Sequence, residues 1–457
     1  MLTLSFHRGT LLLDGTLTTS SHFGFVWDDR VQKERTQALW YRDVLQHVHD
    51  SGVEYEDRAQ SYLRMPELEH RTEKIPRDYQ QEALDAWEKA KRRGLIVLPT
   101  GSGKTFVAEL CIAACKRSTL VVAPTIDLVN QWHRILTEAF GGPVGMLGGG
   151  QHEVQPLTVS TYDSAYLHME RYGDRFGLVI FDEVHHLPSG SFSQAAEMCT
   201  APFRLGLSAT PERPDELHND LSYLVGPEVY RRGIKELSGE VLADYETHRV
   251  EVFLTAEELQ AYSEARGIYS HFIGSRRIFM GGRNGWGRFL REAARSKAGR
   301  AALKAHQESR RIMHQASGKM EALEEILDRH PQSRVLIFTN DNATVYRLSR
   351  EFLVPTITHQ TDAKERRETL EAFGDGRYRV IATSRVLNEG VDMPDADVGI
   401  VLSGTSTVRE HVQRLGRILR PKAGKRATLY EVIASGTKEE AHSQSRREHE
   451  AYEEDPC

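Results

Sequence analysis

Two short stretches carry residues whose types and spacing could bind and hydrolyse a nucleoside triphosphate. The first, PTGSGKT, lies between an apolar run and a helical pattern, and its two glycines let backbone N–H groups turn towards phosphate oxygens. Lys104 would reach the β- and γ-phosphates, and Thr105 would ligate Mg²⁺. The strict pattern has Gly at the position of Leu98, so only its core is matched. The residues predicted to cradle the phosphates are Thr100, Gly101, Ser102, Gly103, Lys104 and Thr105.

The second stretch, LVIFDEVHHL, ends an apolar run with two acids and two histidines. Asp182 would be the other Mg²⁺ partner, and Glu183 would be the base that orients and deprotonates the attacking water. A zinc site is the alternative. However, the zinc pattern HExxH places its histidines one helical turn apart, whereas His185 and His186 are adjacent and diverge. We therefore predict a functional His185 and a local structural role for His186.

The elements that would position these residues fall into two similar sets. Apolar runs alternate with helical patterns in both, which is typical of mostly parallel α/β sheets. The residues 105–116 are predicted to form a packed helix. The predicted strands are 94–100, 119–125, 157–161, 177–183 and 203–210 in the first set, and 334–340, 356–359, 378–384, 398–404 and 427–433 in the second.

The two ends of the chain differ from these sets. Residues 1–70 are predicted to form a small separate domain that begins with a hairpin turning at Asp14 and Gly15. The charged tail after Gly436 lacks apolar periodicity and is predicted to be a frayed helix or disordered.

A basic segment separates the two sets. Residues 271–320 hold twelve Lys or Arg and two Glu, a local charge of +10 in a chain whose net charge is −6. This excess suits contact with a phosphate backbone, and the interleaved aromatics Phe279, Trp286 and Phe289 suit base stacking or ordinary helix packing equally. The segment is predicted to be helical from Trp286 to about His314.

The bulk composition predicts a cytoplasmic protein of two or three domains. The chain has 457 residues, of which 39% are hydrophobic, and no apolar run approaches the ~20 residues that span a bilayer. The N-terminus lacks the layout of a signal peptide. Four cysteines without a CxxC pair predict free thiols, with Cys111 and Cys115 buried in one helix.

Eight motifs in order resemble those of a superfamily-two helicase of the DEAH/DEVH type: PTGSGKT, VVAPT, TVSTYDSA, DEVH, SAT, VLIFTN, ATSRVLNEGVDMP and QRLGRILRP. The phrases RDYQQEAL, IFDEVHHLP, APFRLGLSAT and HVQRLGRILRP further resemble the XPB repair helicases in their short archaeal and bacterial form. The resemblance implies an α/β fold of two RecA-like parallel-sheet domains at 71–240 and 241–457, with a helical thumb-like insertion at about 256–317. It also implies a small α+β N-terminal domain at 1–70 that helps to recognise distorted DNA.

The resemblance also assigns roles around the nucleotide. Gln80 would hydrogen-bond the adenine edge and Arg77 would flank the base. Ser208 and Thr210 of the SAT motif would exchange hydrogen bonds with His185 and couple hydrolysis to domain movement.

In the second lobe, Arg417 and Arg420 lie three residues apart, one helical turn, so both could face the γ-phosphate as an arginine finger does. Gln413 would face the nucleotide and His185, and Asp392 would contact the ribose or the γ-phosphate network. The predicted second-lobe residues of this site are Glu389, Gly390, Asp392, Gln413, Arg417 and Arg420.

One departure from the family pattern concerns the separation of nucleic-acid strands. The XPB family has an Arg-Glu-Asp triplet tied to unwinding, and this chain has Arg213-Pro214-Asp215, which lacks the central acid. The departure slightly favours movement along DNA without strand separation. The residues predicted to contact nucleic acid are Thr125, Thr161, Arg213, Asp215, Arg283, Trp286, Arg288, Phe289 and Thr383.

Together these features predict a DNA-dependent ATPase that uses ATP and Mg²⁺, and the resemblance implies that it moves 3′ to 5′ along DNA during repair. One alternative is a double-strand translocase that remodels DNA or protein–DNA complexes; a more distant one is a DNA-binding scaffold with a vestigial ATPase. RNA remains an alternative to DNA as the nucleic acid along which the enzyme moves, because contacts to the phosphate backbone dominate the binding of both. The expected partners are single-stranded or forked DNA and a nuclease, with no membrane, and the expected state is a monomer or a heterodimer with that nuclease.

Overall fold

The computed structural model describes residues 2–15, 17, 20–213, 215–237, 244–280, 285–384, 396–403 and 426–447. The chain divides into two compact units, Met1–Gly233 and Ile234–Cys457.

The first unit opens with a five-stranded sheet of strand order β3-β4-β2-β1-β5, beside which the helix α1 (Tyr41–Asp50) contributes Val44 and Val48 to an apolar core. The first hairpin turns at Arg8 and Gly9, not at Asp14 and Gly15 as the sequence suggested. Arg8 (φ 48°) and Gly9 (φ 75°) both have the positive φ that a tight two-residue turn requires. The strands are β1 (Leu2–His7), β2 (Thr10–Asp14), β3 (Val26–Asp28), β4 (Lys33–Gln37) and β5 (Tyr55–Arg58).

The rest of this unit is an eight-stranded sheet of order β13-β6-β12-β11-β7-β10-β8-β9, parallel except for β9 at one edge. Its central strands are buried throughout, as their unbroken apolar sequences require. The strands are β6 (Arg93–Val97), β7 (Thr119–Ala123), β8 (Val144–Gly148), β9 (Gln151–Glu153), β10 (Leu157–Thr161), β11 (Leu178–Asp182), β12 (Phe203–Ser208) and β13 (Glu228–Arg231). The helices are α2 (Asp78–Lys89), α3 (Lys104–Cys115), α4 (Ile126–Phe140), α5 (Tyr162–Tyr172), α6 (Ser193–Glu197) and α7 (Leu221–Leu224).

The second unit contains a six-stranded parallel sheet of order β14-β19-β18-β15-β17-β16. Its strands are β14 (Asp244–Val252), β15 (Val335–Phe338), β16 (Thr356–Ile357), β17 (Val380–Thr383), β18 (Val398–Val401) and β19 (Arg426–Ala434). Its helices are α8 (Ile234–Leu237), α9 (Ala256–Ser275), α10 (Gly285–Ala294), α11 (Lys297–His314), α12 (Ser317–Arg329), α13 (Asn342–Phe352), α14 (Ala363–Gly374) and α15 (Lys438–Arg447).

A helical insertion, formed by α9, α10 and α11, lies between β14 and α12. The segment from Trp286 to His314 is helical as predicted, but it forms two helices because the chain breaks at Ser296. That residue has extended backbone angles (φ −144°, ψ 157°), and its hydroxyl accepts a hydrogen bond from Gly299 N at 2.9 Å, which caps α11.

The described part of the tail after Gly436 contains a helix. Residues 438–447 form α15, and Glu439 and Ser443 on this helix are buried. Of the two predicted alternatives, a frayed helix or disorder, this stretch forms the helix, and its two buried side chains pack it against the rest of the unit. Cys111, Cys115 and Cys199 are free and buried. In the part of the chain that the structure describes, no helix is long and apolar enough to cross a membrane.

Candidate active site

The loop between β6 and α3 has the form that the sequence predicted. Gly101 and Gly103 have positive φ values of 87° and 85°, and α3 begins at Lys104. The Lys104 amine donates a hydrogen bond to the Leu98 carbonyl oxygen at 3.1 Å. The Thr100 hydroxyl is buried and has no hydrogen-bond partner among the described residues, so it is available to a ligand.

These residues fit a nucleotide that carries Mg²⁺. The helix N-terminus, the Lys104 amine and the Thr105 hydroxyl offer donors and an oxygen ligand, and Asp182 offers a hard carboxylate. Within the described ranges no group of three or more His, Cys, Asp or Glu side chains could hold a metal ion. Mg²⁺ needs no such cage, because it is bound by one or two carboxylates together with phosphates and waters. The zinc alternative therefore gains no support.

Asp182 ends β11 and is held by three hydrogen bonds. Its Oδ2 accepts from the Trp132 indole N–H at 2.8 Å, and its Oδ1 accepts from Glu183 N at 3.0 Å. Its carbonyl oxygen accepts from the Tyr162 hydroxyl at 3.0 Å. Burial raises the pKa of the Asp182 carboxyl, against the lowering effects of the Trp132 hydrogen bond and the Lys104 charge. Trp132 and Tyr162 were not singled out from the sequence.

The turn after Asp182 places Glu183 and His185 next to one another. Glu183 has a left-handed backbone (φ 46°), and its Oε2 lies 3.4 Å from His185 Nδ1. The His185 ring is buried, and its Nδ1 lies 3.3 Å from the Ser208 hydroxyl. That hydroxyl also accepts a hydrogen bond from Thr210 N at 3.2 Å, so the structure contains the expected contact between His185 and the SAT strand. The His186 ring lies against Tyr162 and His185.

Gln80 lies beneath the phosphate-binding loop. Its amide oxygen accepts from Arg77 N at 3.0 Å, and its amide nitrogen donates to the Ser102 carbonyl oxygen at 3.2 Å. The Tyr79 hydroxyl donates to the same carbonyl oxygen, a contact that sequence reasoning missed although Tyr79 lies within RDYQ. In this structure, therefore, Gln80 and Tyr79 brace the loop, and the adenine contact of Gln80 stays a prediction.

Four residues predicted to contact nucleic acid lie on the first unit. Thr125 and Thr161 are the N-cap residues of α4 and α5. Arg213 makes a bidentate pair with Asp215 at 2.8 and 2.7 Å, and it also donates to the His185 carbonyl oxygen at 2.6 Å. Its three guanidinium nitrogens are thus occupied within the protein. In this structure the two side chains pair with one another, and their contact with nucleic acid stays a prediction.

Among the nucleic-acid residues predicted in the second unit, Trp286 and Arg288 on α10 are exposed, Trp286 by 45%. Phe289 is wholly buried in the core of the insertion against Tyr269 and Phe272, so its assignment to nucleic acid was wrong. Thr383 is also wholly buried, and its hydroxyl donates to the Ser384 carbonyl oxygen, which likewise corrects its assignment. The predicted residues that lie outside the described ranges are Arg283, Glu389, Gly390, Asp392, Gln413, Arg417 and Arg420.

A phosphate-binding loop and an Asp-Glu pair at one edge of a parallel sheet define a P-loop NTPase, and the second parallel sheet fits the class of helicases with two RecA-like domains. Family matches agree with this class. Residues 4–59 match the Xeroderma pigmentosum group B helicase damage recognition domain, residues 73–213 the type III restriction enzyme res subunit, and residues 318–422 the helicase conserved C-terminal domain.

Whole-chain similarity makes the assignment more specific. The chain is 42% identical to the DNA 3′-5′ translocase XPB2 of Sulfurisphaera tokodaii over 98% of this chain and 100% of that protein. It is 32% identical to the DNA 3′-5′ helicase XPB of Mycobacterium tuberculosis over 78% of this chain and 60% of that protein. The chain belongs to the XPB helicase family and is an ATP-dependent enzyme of the helicase class.

A solved structure supports the fold alone. The Hef helicase domain of Pyrococcus furiosus superposes with a TM-score of 0.51 at 20% identity, covering 81% of this chain and 98% of that one. This likeness fits the α/β architecture of two RecA-like domains with a small N-terminal domain.

Proposed function

We propose that this chain is an ATP-dependent DNA helicase or translocase that moves 3′ to 5′ and acts in DNA repair. The observation that carries the proposal is the placement of Lys104 and Asp182 at one edge of the sheet: Lys104 begins α3 in the loop after β6, and Asp182 ends β11, with the parallel strand β12 between the two strands. The phosphate-binding amine and the metal-binding carboxylate therefore belong to one site. The names of the XPB relatives, DNA 3′-5′ translocase and DNA 3′-5′ helicase, support the nucleic acid and the direction.

In this proposal ATP bound with Mg²⁺ supplies the phosphoanhydride bond whose hydrolysis drives movement. Lys104 binds the phosphate charge, and the Thr105 hydroxyl and the Asp182 carboxylate hold the metal. The Glu183 carboxylate takes the proton of the attacking water. His185 contacts both Glu183 and Ser208, the last residue of β12. A change in Glu183 on hydrolysis therefore moves His185 and, through Ser208, the end of β12.

Further members of the nucleotide site are proposed on the resemblance. Gln80 would exchange its bond to the Ser102 carbonyl oxygen for one to adenine, and the two arginines of QRLGRILRP would bind the γ-phosphate. The full set of these proposed members is Arg77, Gln80, Glu389, Gly390, Asp392, Gln413, Arg417 and Arg420.

The test is the ATPase rate of the wild type and of Lys104→Ala with single-stranded DNA, duplex, a bubble and RNA. We expect DNA to stimulate the wild type more than RNA does, and Lys104→Ala to lose activity with every nucleic acid. An ATPase that DNA does not stimulate and that Lys104→Ala leaves unchanged would refute the proposal and favour a DNA-binding scaffold.

A second candidate is a duplex translocase that does not separate strands. The observation that favours it is the pairing of Arg213 with Asp215, beside a proline where the family has an acid. A forked-duplex unwinding assay beside a triplex-displacement assay separates the two. Triplex displacement without unwinding supports this candidate, and unwinding of the fork excludes it.

The proposal includes three further predictions. The first is a nuclease partner with a monomer or heterodimer state, which cross-linking and mass measurement of the purified protein would test. The second is cytoplasmic localisation. The third is the set of domain boundaries at 70/71 and 240/241, with the insertion at about 256–317.

A further inference from the structure

A network of three side chains on the first unit joins the helix α2 to the edge strand β13. The Glu82 carboxylate oxygen Oε2 accepts hydrogen bonds from the Tyr230 hydroxyl at 2.6 Å and from the Arg232 guanidinium at 3.0 Å. The Arg232 Nε also donates to the Tyr230 hydroxyl at 3.1 Å, so the three side chains close a ring. The hydrogen bonds from Tyr230 and Arg232 lower the pKa of the Glu82 carboxyl, which is therefore charged at neutral pH.

The two sides of this network lead to the two sides of the phosphate-binding loop. In the first turn of α2, the Tyr79 hydroxyl and the Gln80 amide nitrogen both donate to the Ser102 carbonyl oxygen within the loop. On the other side, the Arg232 backbone N–H donates to the carbonyl oxygen of Val97 at 3.1 Å, and Val97 is the last residue of β6 before the loop. The network therefore ties the helix that braces the loop to the strand that enters it.

The exposure of these side chains shows what such a network contributes. An isolated surface ion pair stabilises a fold very little, and the side chains of Glu82 and Arg232 are 50% and 37% exposed. Here the carboxylate also takes a short charge-assisted hydrogen bond from Tyr230, and bonds within a network strengthen one another. Removal of the carboxylate leaves no charge buried without a partner, so we expect the unit to stay folded. The network holds the position of α2 more than it stabilises the fold.

We propose that Glu82, held by Tyr230 and Arg232, is a positioning residue that keeps α2 where Tyr79 and Gln80 brace the phosphate-binding loop for ATP. This inference rests on the proposed function. Without the network, the loop spends part of its time in forms that α2 does not brace, and the apparent affinity for nucleotide falls with the fraction of the braced form. Saturating ATP selects the braced form, so the rate of the bound enzyme stays the same.

The same helix provides a matched control. Glu88, also exposed on α2, pairs with Arg92 at 2.7 Å. Arg92 lies only four residues further along the chain, so this ion pair is local to the end of α2. Glu82→Ala and Glu88→Ala therefore remove the same atoms and an ion pair to arginine from one helix. Only Glu82→Ala removes a contact with β13.

The experiment measures the ATPase rate of the full chain against ATP concentration, with Mg²⁺ and single-stranded DNA held at saturation. For Glu82→Ala we expect the KM for ATP to rise about fivefold and kcat to stay unchanged. Tyr230→Phe should raise KM by a smaller factor. The double variant should raise KM no further than Glu82→Ala alone, because both substitutions act on one network. Glu88→Ala should keep the KM and the kcat of the wild type.

The outcomes separate this inference from the proposed function. If the wild type hydrolyses no ATP, or if Lys104→Ala leaves its rate unchanged, the proposed function fails and the inference falls with it. If the wild type is active and Glu82→Ala has the KM of Glu88→Ala, only the inference fails. A lower kcat with an unchanged KM also overturns it, because a loss of folded enzyme gives that result. Tyr230→Phe, which removes a single hydroxyl, carries the same test if circular dichroism shows that Glu82→Ala is unfolded.

Discussion

Lys319 and Glu439 form an ion pair in the interior of the second unit, with Lys319 Nζ 2.6 Å from Glu439 Oε2 and side chains 0% and 1% exposed. Lys319 on α12 also donates to the Leu402 carbonyl oxygen at 2.5 Å, and Glu439 on α15 accepts from Ala434 N at 2.9 Å. The pair thus joins the helix that follows the insertion, the residue that follows β18 and the last described helix.

Removing one charge of this pair should destabilise the protein strongly, because the other charge would stay buried and uncompensated. We expect Lys319→Met to lower the free energy of unfolding by about 3–5 kcal/mol, and the double variant Lys319→Met/Glu439→Leu to recover most of it. Urea unfolding followed by circular dichroism measures both. A double variant as unstable as the single one would show that the pair is needed for more than charge balance.

The pair of Arg213 and Asp215 gives a second prediction. Because Arg213 also donates to the His185 carbonyl oxygen, we expect Arg213→Lys, which loses the planar fork, to lower the kcat of the ATPase more than it weakens DNA binding. Arg231→Lys is the control, since Arg231 makes exposed ion pairs with Glu212 and Glu228 that contribute little. If Arg213 instead contacted a DNA phosphate, the charge-removing variant Arg213→Gln would lower the slope of the logarithm of the DNA-binding constant against the logarithm of salt concentration by about one.

Much of the first unit follows from local sequence. Unbroken apolar runs predict the central strands of a parallel sheet, and the glycines before Lys104 predict the turn between β6 and α3. The placement of Asp182 at the same edge as this turn follows as well, because the carboxyl ends of parallel strands lie at one edge of the sheet and β12 is the strand between β6 and β11.

Long-range partners could not be predicted in the same way. Trp132 lies 50 residues from Asp182 and Lys319 lies 120 residues from Glu439, and no local spacing encodes which distant group a buried donor meets. Phe289 shows a related limit. An aromatic residue among basic ones fits either a nucleic-acid surface or the apolar side of an amphipathic helix, and only packing against α9 decides between them.

The conformation of Gly103 gives a third prediction. Its φ of 85° strains any other residue, and a Cβ atom there would lie 2.6 Å from the Gln80 amide nitrogen. Gly103→Ala should therefore displace Gln80 and weaken nucleotide binding, in addition to a backbone cost of about 1 kcal/mol. Gly52→Ala isolates that backbone cost, because Gly52 has a φ of 66° and no atom within 4 Å of its Cβ position. Equal losses of stability in the two variants, with nucleotide binding unchanged in Gly103→Ala, would contradict the predicted displacement of Gln80.

The His306 ring in the insertion gives a prediction about pH. It lies between Tyr269 and Trp286, with ring centroids 4.7 and 5.2 Å away. Burial, followed by the charges of Arg310, Arg266 and Lys438, lowers its pKa from 6.5 to about 4. Between these values the unfolded chain binds a proton that the folded insertion excludes. The stability contributed by neutral His306 is therefore complete above about pH 6.5 and is lost as the pH falls towards 4.

Urea unfolding at several values between pH 7.5 and pH 4.5 measures this effect. We expect the wild type to lose stability on acidification more steeply than His306→Phe, which keeps an aromatic ring in the same place and cannot bind the proton. His271→Phe, at an exposed histidine on α9, should keep the slope of the wild type. Because only the difference in slope between the variants reports on His306, a general acid sensitivity of the carboxylates cancels. Equal slopes in the wild type and His306→Phe would mean that the insertion accommodates the protonated ring.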